Sequence, residues 1–354
     1  MKRFRIYAIA ALLSLAYSGA SAYDFIVDNV YYNISSDTDL TVEVTYEKSG
    51  YNSYSGDVDV PAQVSYDGTD YTVIAVGDNA FRACTALTSV TISEGVTTIG
   101  DYAFAECTVL TTVSLPGTLE SLGKRAFTKC EALTSVVLPD AITSMGTYVF
   151  YKATALAELT MPAGMTEVPQ CMALDCTALE NITLHDNITT LGTGCFRNCS
   201  SIASVTIPAS VTVINTFAFN GCSALTEVNV LATNPPVVGS TNAFTTYSSA
   251  TLYVPEGCVE TYEAHSIWSA FNIIEEKDFS EATGIDNVST NGGKTFNIVA
   301  GGILMNADGL AVRIYDVTGK TVYSGISTLG ETITVPDGGI YIIRTGSQTA
   351  KVVF

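Results

Sequence analysis

The stretch AFAECTVLTTVSLPGTLESLGKRAF, residues 103–127, decides the fold because close copies of it recur at one fixed interval. Six cysteines mark the copies, spaced by 23 residues or twice that number: Cys84, Cys107, Cys130, Cys176, Cys199 and Cys222. We call this recurring place the ladder position; its one vacant copy holds Ala153. In most copies a phenylalanine precedes it by three residues and an aliphatic residue follows it by three. Self-similarity at a period of roughly 20–50 residues is typical of a solenoid, in which each repeat contacts mainly its neighbours.

The residues after each ladder position alternate between apolar and polar, which predicts a β-strand. In the first copy, the apolar Leu87, Val90 and Ile92 alternate with Ser89 and Thr91. Prolines follow this strand in four copies and glycines mark a later bend: Pro116, Pro139, Pro162 and Pro208, then Gly100, Gly123, Gly146 and Gly192. One such coil cannot bury its own apolar side. The sequence therefore predicts seven stacked coils with a parallel β-sheet, at about 4.8 Å per turn.

Copies four and five depart from the pattern. Copy four has Ala153 at the ladder position, and copy five has Ala173 in place of the phenylalanine and Pro169 in place of the glycine. Loss of a buried ring destabilises a core by about 3–5 kcal/mol unless neighbours fill the gap. Met172 or Leu174 could fill it; the alternative is a local kink or pocket near residues 168–176.

The first residues have the features of an export signal. Residues 2–5 carry three basic side chains, residues 6–17 form a short apolar run, and residues 20–22 offer a small-residue cleavage site. We therefore predict a signal peptide over residues 1–22 and a mature chain that begins near Tyr23. The apolar run is too short to cross a membrane comfortably, and we predict no transmembrane segment. The expected location is secreted or at the cell surface, on the outer face of the outer membrane.

Segments without the repeat flank it on both sides. Residues 77–230 hold the seven copies, and residues 23–76 and 231–275 are predicted to be the caps that open solenoid ends require. A polar stretch over residues 276–294 is a predicted linker. Alternating runs separated by turn residues predict a small β-sandwich over residues 295–354.

The chain is strongly acidic, with a formal net charge of -19. So acidic a surface argues against nucleic acid and anionic membranes as partners. It favours solubility, and it leaves divalent cations or basic partner surfaces as options. The sequence indicates no particular oligomeric state.

Nine cysteines in an exported chain would ordinarily suggest disulfides. The periodicity indicates otherwise, because ladder positions one turn apart have roughly parallel Cβ vectors, whereas a disulfide needs converging ones. We predict reduced, buried thiols that act as small apolar groups. A linear stack also offers no tetrahedral set of ligands, so we predict no metal site.

The repeat region resembles the BspA-like class of leucine-rich repeat proteins found on the surfaces of Bacteroidetes. The resemblance covers residues 71–275 and rests on the Ala-Phe pair, cysteine, leucine, valine and leucine-proline steps of the quoted unit. The segment LYVPEGCVETYEA, residues 252–264, is similar to a flank of those proteins. The resemblance implies a right-handed leucine-rich-repeat solenoid, display outside the cell, and binding to proteins or host surfaces. It carries no catalytic residues.

The tail is similar to the C-terminal sorting domains of exported Bacteroidetes proteins. The similar segments are VRIYDVTGKTVYSG, residues 312–325, and GGIYIIRTGSQTAKVVF, residues 338–354. The Pro-Asn-Pro opening of that family is replaced by TFNIVAGGILM, residues 295–305. The alternative is a domain kept as an accessory module.

Two sets of residues are candidates for a binding surface. Lys124, Arg125, Lys129 and Lys152 form a basic cluster, and Glu106 and Asp175 share a repeat column with two of them. This cluster is either a solvated edge or a contact for an acidic partner or glycan. Glu158, Asn181 and Glu227 belong to the outward-facing strand residues, a surface that solenoids use for binding. The tyrosines of the N-terminal cap are a rival surface: Tyr31, Tyr32, Tyr46, Tyr51 and Tyr54.

Candidate catalytic groups are few. Only two histidines are present, and His185 takes the place of the proline after a strand, where a turn residue is expected. No carboxylate pair stands out at a spacing suited to glycoside hydrolysis. We therefore predict a protein that is not an enzyme and needs no cofactor. Its expected partner is an extracellular protein or a glycan on host or neighbouring cells. The alternatives are a structural spacer without a ligand, or a glycan-binding protein.

Overall fold

The computed structural model describes residues 22–48, 50–279, 296–299, 302–305, 309–316, 321–335, 340–345 and 348–353. The predicted signal peptide up to residue 21 and the predicted linker from residue 280 lie outside these residues. Among the residues described, no helix is long and apolar enough to cross a membrane.

The N-terminal segment forms six strands: β1 (Phe25–Val27), β2 (Val30–Ser36), β3 (Thr41–Thr45), β4 (Ser55–Val60), β5 (Gln63–Tyr66) and β6 (Thr69–Val76). Strands β1, β2 and β3 pair antiparallel in sequence order. Strand β6 then pairs parallel with β3 and antiparallel with β5. The segment thus changes from antiparallel to parallel pairing as the chain approaches the repeats.

The repeats contribute two short strands per turn in most turns. They are β7 (Ala86–Ile92), β8 (Thr98–Ile99), β9 (Thr112–Ser114), β10 (Ser121–Leu122), β11 (Ser144–Met145), β12 (Glu158–Thr160), β13 (Glu167–Val168), β14 (Asn181–Thr183), β15 (Thr190–Leu191), β16 (Ser204–Ile207), β17 (Val213–Ile214), β18 (Glu227–Val230) and β19 (Val237–Val238). Pairing is parallel, as in the register of Ser204 with Glu227, one repeat later. These parallel turns confirm the predicted leucine-rich-repeat solenoid.

The solenoid extends past the seven copies at both ends. The chain continues through β20 (Thr251–Val254), helix α1 (Val259–Glu263), a 3-10 turn (Trp268–Ala270) and β21 (Ile273–Glu276). Strand β4 pairs parallel with β7, and β6 pairs parallel with β8. At the other end, β20 pairs parallel with β18 and β21 pairs parallel with β20. The flanking segments therefore add turns to the parallel sheet.

The sheet is less continuous than the repeat pattern predicts. Residues 135–137 of copy three form no strand, so the first column of strands is interrupted between β9 and β12. The coils remain stacked there because Val136 and Leu138 stay in the common core. Side-chain packing and backbone hydrogen bonds outside the strands, such as that from Phe127 N to Val149 O, hold the middle turns together.

The centre of the solenoid is a stack of aromatic rings. The rings of Phe81, Phe104, Phe127 and Phe150 lie parallel at centroid distances of 4.9, 5.1 and 5.6 Å. Ala173 interrupts the stack, and Met172 is fully buried beside it. The stack resumes from Phe196 to Phe219 and Phe244. Tyr54 lies 4.5 Å from Phe81 at one end, and Trp268 lies 5.8 Å from Phe244 at the other.

The cysteines line a buried column beside these rings. All nine are free and buried. At the ladder position each thiol from the second copy onward donates a hydrogen bond to a carbonyl of the preceding turn; the pairs are Cys107–Phe81, Cys130–Phe104, Cys176–Phe150, Cys199–Ala173 and Cys222–Phe196. Burial raises the pKa of the thiols of Cys176 and Cys222 to about 12. The thiols are therefore packing groups rather than nucleophiles at neutral pH.

The tail consists of antiparallel strands: β22 (Phe296–Val299), β23 (Gly302–Met305), β24 (Ala311–Asp316), β25 (Thr321–Ile326), β26 (Thr332–Thr334), β27 (Ile340–Thr345) and β28 (Gln348–Val353). They form two sheets, ordered β22-β23-β26 and β25-β24-β27-β28. Ile303 and Ile333 of the first sheet pack in one cluster with Val312, Ile314 and Ile343 of the second. The predicted β-sandwich remains a prediction.

Candidate functional site

Each repeat turn carries two residues with left-handed backbone, one on either side of the Ala-Phe pair. The first column has φ between 52° and 62° and consists of Asn79, Tyr102, Arg125, Tyr148, Cys171, Gly194 and Phe217. The second has φ between 54° and 80° and consists of Ala83, Glu106, Lys129, Lys152, Asp175, Asn198 and Gly221. This backbone is unfavourable for residues with a side chain, by about 1–2 kcal/mol each. It is held by hydrogen bonds to the next turn, such as those from Phe81 N to Ala103 O and from Ala83 N to Ala105 O.

Tyrosine and basic side chains from these columns and their neighbours stack along one side of the first turns. We name this surface the cation–tyrosine ridge; it comprises Tyr51, Arg82, Tyr102, Arg125, Tyr148, Tyr151 and Lys152. The guanidinium carbon of Arg82 lies 5.0 Å from the ring centre of Tyr51 and 5.2 Å from that of Tyr102. Arg82 thus joins the N-terminal segment to the second repeat.

Arg125 continues the stack toward the fourth repeat. Its guanidinium carbon lies 4.6 Å from the ring centre of Tyr148 and 5.9 Å from those of Tyr102 and Tyr151. The ammonium of Lys152 lies 5.3 Å from the ring centre of Tyr151. The Nε atom of Arg125 is buried and has no hydrogen-bond partner among the described residues. Cation–ring contacts of this kind contribute about 0.5–2 kcal/mol each, depending on desolvation.

The structure places the predicted basic cluster on and beside this ridge. Arg125 and Lys152 belong to the ridge, and the exposed Lys124 precedes Arg125 in the chain. Lys129 forms an ion pair with Glu106 at 3.2 Å. The predicted proximity of Glu106 is therefore confirmed. Lys129 contacts the carboxylate of Glu106, and Lys152 contacts the ring of Tyr151. These contacts offset the repulsion expected between the two lysines.

The predicted strand residues lie on a separate part of the coil. Glu158 on β12 and Asn181 on β14 are direct neighbours in the parallel register. Glu227 forms an ion pair with Lys277 at 2.7 Å, and hydrogen bonds from Lys277 and Asn229 hold the pKa of its carboxyl below the usual value. Glu227 therefore already has partners within the chain. The structure does not bring these three residues together with the basic cluster.

The tail lies against the solenoid near Glu158. The side chain of Arg313, on β24, is buried: it donates a hydrogen bond to the carbonyl of Leu138 and lies 3.5 Å from the carboxylate of Asp140. Thr321 on β25 also donates a hydrogen bond to Asp140. Burial raises the pKa of the Glu158 carboxyl, an effect that the nearby Arg313 opposes. Part of the strand surface is thus covered by the chain itself.

The N-terminal tyrosines are not one surface, which corrects the sequence-based expectation. Tyr32 and Tyr54 are 1% and 5% exposed, because they pack on Phe25 and Phe81 in the core. Tyr51 belongs instead to the ridge. A cleft of about 940 Å³ opens beside Tyr31. Its wall is acidic: the carboxylates in its lining are Asp28, Asp57 and Asp59.

His185 occupies a turn, where its Nε2 lies 2.6 Å from the carbonyl oxygen of Pro162 and its Nδ1 accepts a hydrogen bond from the backbone of Asn187. This is the turn position that the sequence predicts. Within the described ranges, no group of three or more His, Cys, Asp or Glu side chains is placed to hold a metal ion.

Sequence reasoning missed four members of the ridge, Arg82, Tyr102, Tyr148 and Tyr151. Their proximity could be predicted from the positions that they occupy in the repeat. Tyr102 and Tyr148 occupy the same column as Arg125, and Arg82 and Tyr151 share the column directly before the second left-handed residue. The non-apolar residues of each column, aligned by the repeat period, predict that these side chains lie side by side.

Comparison with known families identifies the repeat region. The family described as BspA type Leucine rich repeat region (6 copies) matches residues 74–199, 174–265 and 200–297, more than half of the chain. The chain belongs to the BspA-type leucine-rich repeat family. No curated protein sequence matches this BspA-type protein.

Solved structures of leucine-rich repeat proteins resemble this BspA-type chain. A leucine-rich repeat protein from Bacteroides ovatus is 24% identical, with a TM-score of 0.52 over 72% of this chain and 77% of its own. A leucine rich cell surface protein from Faecalibacterium prausnitzii is 20% identical, with a TM-score of 0.45 over 76% of this chain and 98% of its own. The T. pallidum Leucine Rich Repeat protein is 25% identical, with a TM-score of 0.41 over 59% and 86%. At such identity, the Bacteroides structure supports the fold alone.

Proposed function

We propose that this BspA-type protein is exported and displayed at the cell surface, where its repeat region binds an extracellular protein or a host surface without catalysis. The proposal includes a signal peptide that ends near Ala22 and a location on the outer face of the outer membrane. Residues 23–76 and 231–275 act as caps in this proposal. Residues 276–294 act as a linker, and residues 295–354 as a sorting-like domain.

One observation supports binding more than any other. The repeated phenylalanine, cysteine and leucine side chains are buried in the core, whereas the left-handed columns beside them carry side chains of varied charge and size. A backbone fixed by inter-turn hydrogen bonds can present varied side chains without loss of the fold. Extended solenoid surfaces of this kind are used for binding. Tyrosine and arginine, which dominate the ridge, are also the residue types that contribute most to interfaces.

Export and binding are tested separately. The natural chain with an epitope tag is expected in the outer-membrane or extracellular fraction, and external protease is expected to remove the tag from intact cells. A tag that stays in the cytoplasmic fraction would contradict the export part of the proposal.

Binding is tested with the purified mature chain, screened on extracellular-matrix proteins, mucin and glycans. We expect saturable binding to at least one of these surfaces. A displayed chain that binds none of them supports the structural spacer instead. Binding that is unchanged when Lys124, Arg125, Lys129 and Lys152 are all reversed in charge would place the contact elsewhere, with Glu158, Asn181 and Glu227 as the next residues to vary.

A further inference from the structure

We propose that the cation–tyrosine ridge binds an acidic polysaccharide, one that carries carboxylate or sulfate groups along its length. This inference rests on the proposed surface display and names the chemical class of the partner. Four features of the ridge support it: its charge, the geometry of its arginines, its course along several turns of the solenoid, and the lack of exposed aliphatic side chains.

Positive charge is concentrated at the ridge in a chain that is otherwise acidic. Residues 22–279 contain eight lysines and arginines, and five of them lie on or beside the ridge: Arg82, Lys124, Arg125, Lys129 and Lys152. Of these five side chains, only that of Lys129 has a carboxylate within ion-pair distance among the residues that the structure describes. The remaining four charges are available to an anionic partner, and they raise its local concentration.

The arginines are oriented for oxyanions. Tyrosine rings lie against Arg82 and Arg125, so the planar edge of each guanidinium is the part that remains for a ligand. The terminal N–H donors of a guanidinium match a carboxylate or sulfate. In Arg82, Nη1 already donates a hydrogen bond of 3.1 Å to Oδ1 of Asn79, so its other terminal nitrogen is the donor that remains for a ligand. The Nε of Arg125 is buried, so a ligand reaches this side chain through its terminal Nη donors. The stacking also fixes both side chains before binding, which lowers the entropic penalty.

The charges are spread along the solenoid, in neighbouring columns. Arg82, Arg125 and Lys152 belong to the first, third and fourth repeats, so they are spread over three turns, about 14 Å at the spacing of neighbouring strands. Tyrosine rings lie between them. A linear polymer with regularly spaced anions and C–H faces matches this alternation of cations and rings.

The composition of the ridge favours a polysaccharide over an acidic protein. Protein interfaces have an apolar centre that is depleted in charge. The large apolar side chains that are exposed in the described residues are Ile26, Leu40, Tyr66, Val109, Val237, Ile273, Ile326 and Leu329, and none of them belongs to the ridge. The ridge thus provides rings and cations but none of the exposed large apolar side chains of the described residues, which favours a chain of sugar rings and anions over a protein with an apolar contact surface.

The test measures binding of the full mature chain to four polymers. Heparin supplies sulfate, polygalacturonate supplies carboxylate, dextran is neutral, and poly-glutamate is an acidic polypeptide. We expect binding to heparin or polygalacturonate, none to dextran, and weaker binding at higher salt. The heparin and polygalacturonate arms identify which anion the ridge prefers.

A matched pair of variants separates recognition from stability. Arg197 lies 4.9 Å from the ring of Phe217, at the same repeat positions as Arg82 and Tyr102, but no other cation lies in its turn. We expect the double change Arg82→Gln and Arg125→Gln to weaken polysaccharide binding at least about tenfold. Arg197→Gln removes an equivalent stack and should leave the affinity unchanged. If the double variant unfolds, Lys124→Gln with Lys152→Gln replaces it, and a loss of several-fold is expected.

Several results would overturn this inference. They are a lack of binding to both acidic polysaccharides, an affinity that is insensitive to the ridge substitutions, and an equal loss in Arg197→Gln. Binding to poly-glutamate that is as tight as to the polysaccharides would assign the ridge to acidic proteins instead. A chain that is displayed on the cell and binds a matrix protein, but neither polysaccharide, would overturn this inference and leave the proposed function intact.

Discussion

The thiol of Cys107 donates a hydrogen bond of 2.9 Å to the carbonyl oxygen of Phe81, one turn earlier in the solenoid. The contact recurs along the ladder, with distances of 3.1 Å from Cys130 and 3.0 Å from Cys176. Each thiol thus joins two turns at a site that is closed to water. The ladder cysteines are structural, so we expect their thiols to be unreactive and hard to ionise in the folded protein.

We predict that none of the nine thiols reacts with a water-soluble thiol reagent at pH 8 in the folded protein. The reason is that all nine are buried, where a water-soluble reagent does not reach the sulfur. Nine thiols should react once the protein is unfolded in denaturant without a reducing agent. Spectroscopic thiol counting checks this, and fewer than nine in the unfolded state would indicate disulfides.

The ladder also predicts how stability depends on pH. Burial raises the pKa of Cys84 to about 11 and that of Cys176 to about 12, whereas an unfolded thiol ionises near pH 8.5. Above this pH the unfolded state loses protons first, so the contribution of the thiols to stability is complete below about pH 8.5 and declines as the pH rises toward the folded values. The free energy of unfolding should therefore fall between these limits. In Cys176→Ala the free energy of unfolding should fall less steeply with pH. Urea denaturation at several pH values measures this, and the same pH dependence in both proteins would contradict the role given to the thiol.

The phenylalanine stack should dominate the stability of the solenoid. Phe127 is fully buried between Phe104 and Phe150, so Phe127→Ala should lower the free energy of unfolding by about 3–5 kcal/mol. Phe217→Ala is the matched control, because this phenylalanine is only partly buried and lies in the outer column beside Arg197. Its effect should be below about 1 kcal/mol. Urea denaturation measures both, and equal effects would contradict the stack as the main packing element.

The bend glycines bring successive turns into close contact. A Cβ atom on Gly123 would lie 2.3 Å from the backbone carbon of Gly100, so Gly123→Ala should destabilise the protein by about 1–3 kcal/mol or more. A Cβ on Gly117, in the same coil, would meet only the carboxylate of Glu94 at 3.5 Å. Gly117→Ala should therefore change stability by less than about 0.5 kcal/mol. Thermal unfolding of the two variants tests this; a tolerated Gly123→Ala would show that the turns can separate.

The sequence by itself determined whatever is spaced by the repeat. The stacking of Phe104 on Phe81, the buried cysteines and the proximity of Glu106 to Lys129 all follow from the 23-residue interval. Residues one period apart occupy equivalent places on adjacent turns, so a local pattern translates directly into contacts.

Only the tertiary structure decided the contacts between residues that are not separated by a multiple of the repeat period. Tyr51 meets Arg82 because the N-terminal segment adds a turn to the sheet, and Arg313 meets Asp140 because the tail packs on the third repeat. The burial of Tyr54 against Phe81 belongs to the same class. Such contacts join a repeat to a segment without the repeat. Their geometry depends on how whole segments pack, which no local alternation or fixed spacing encodes.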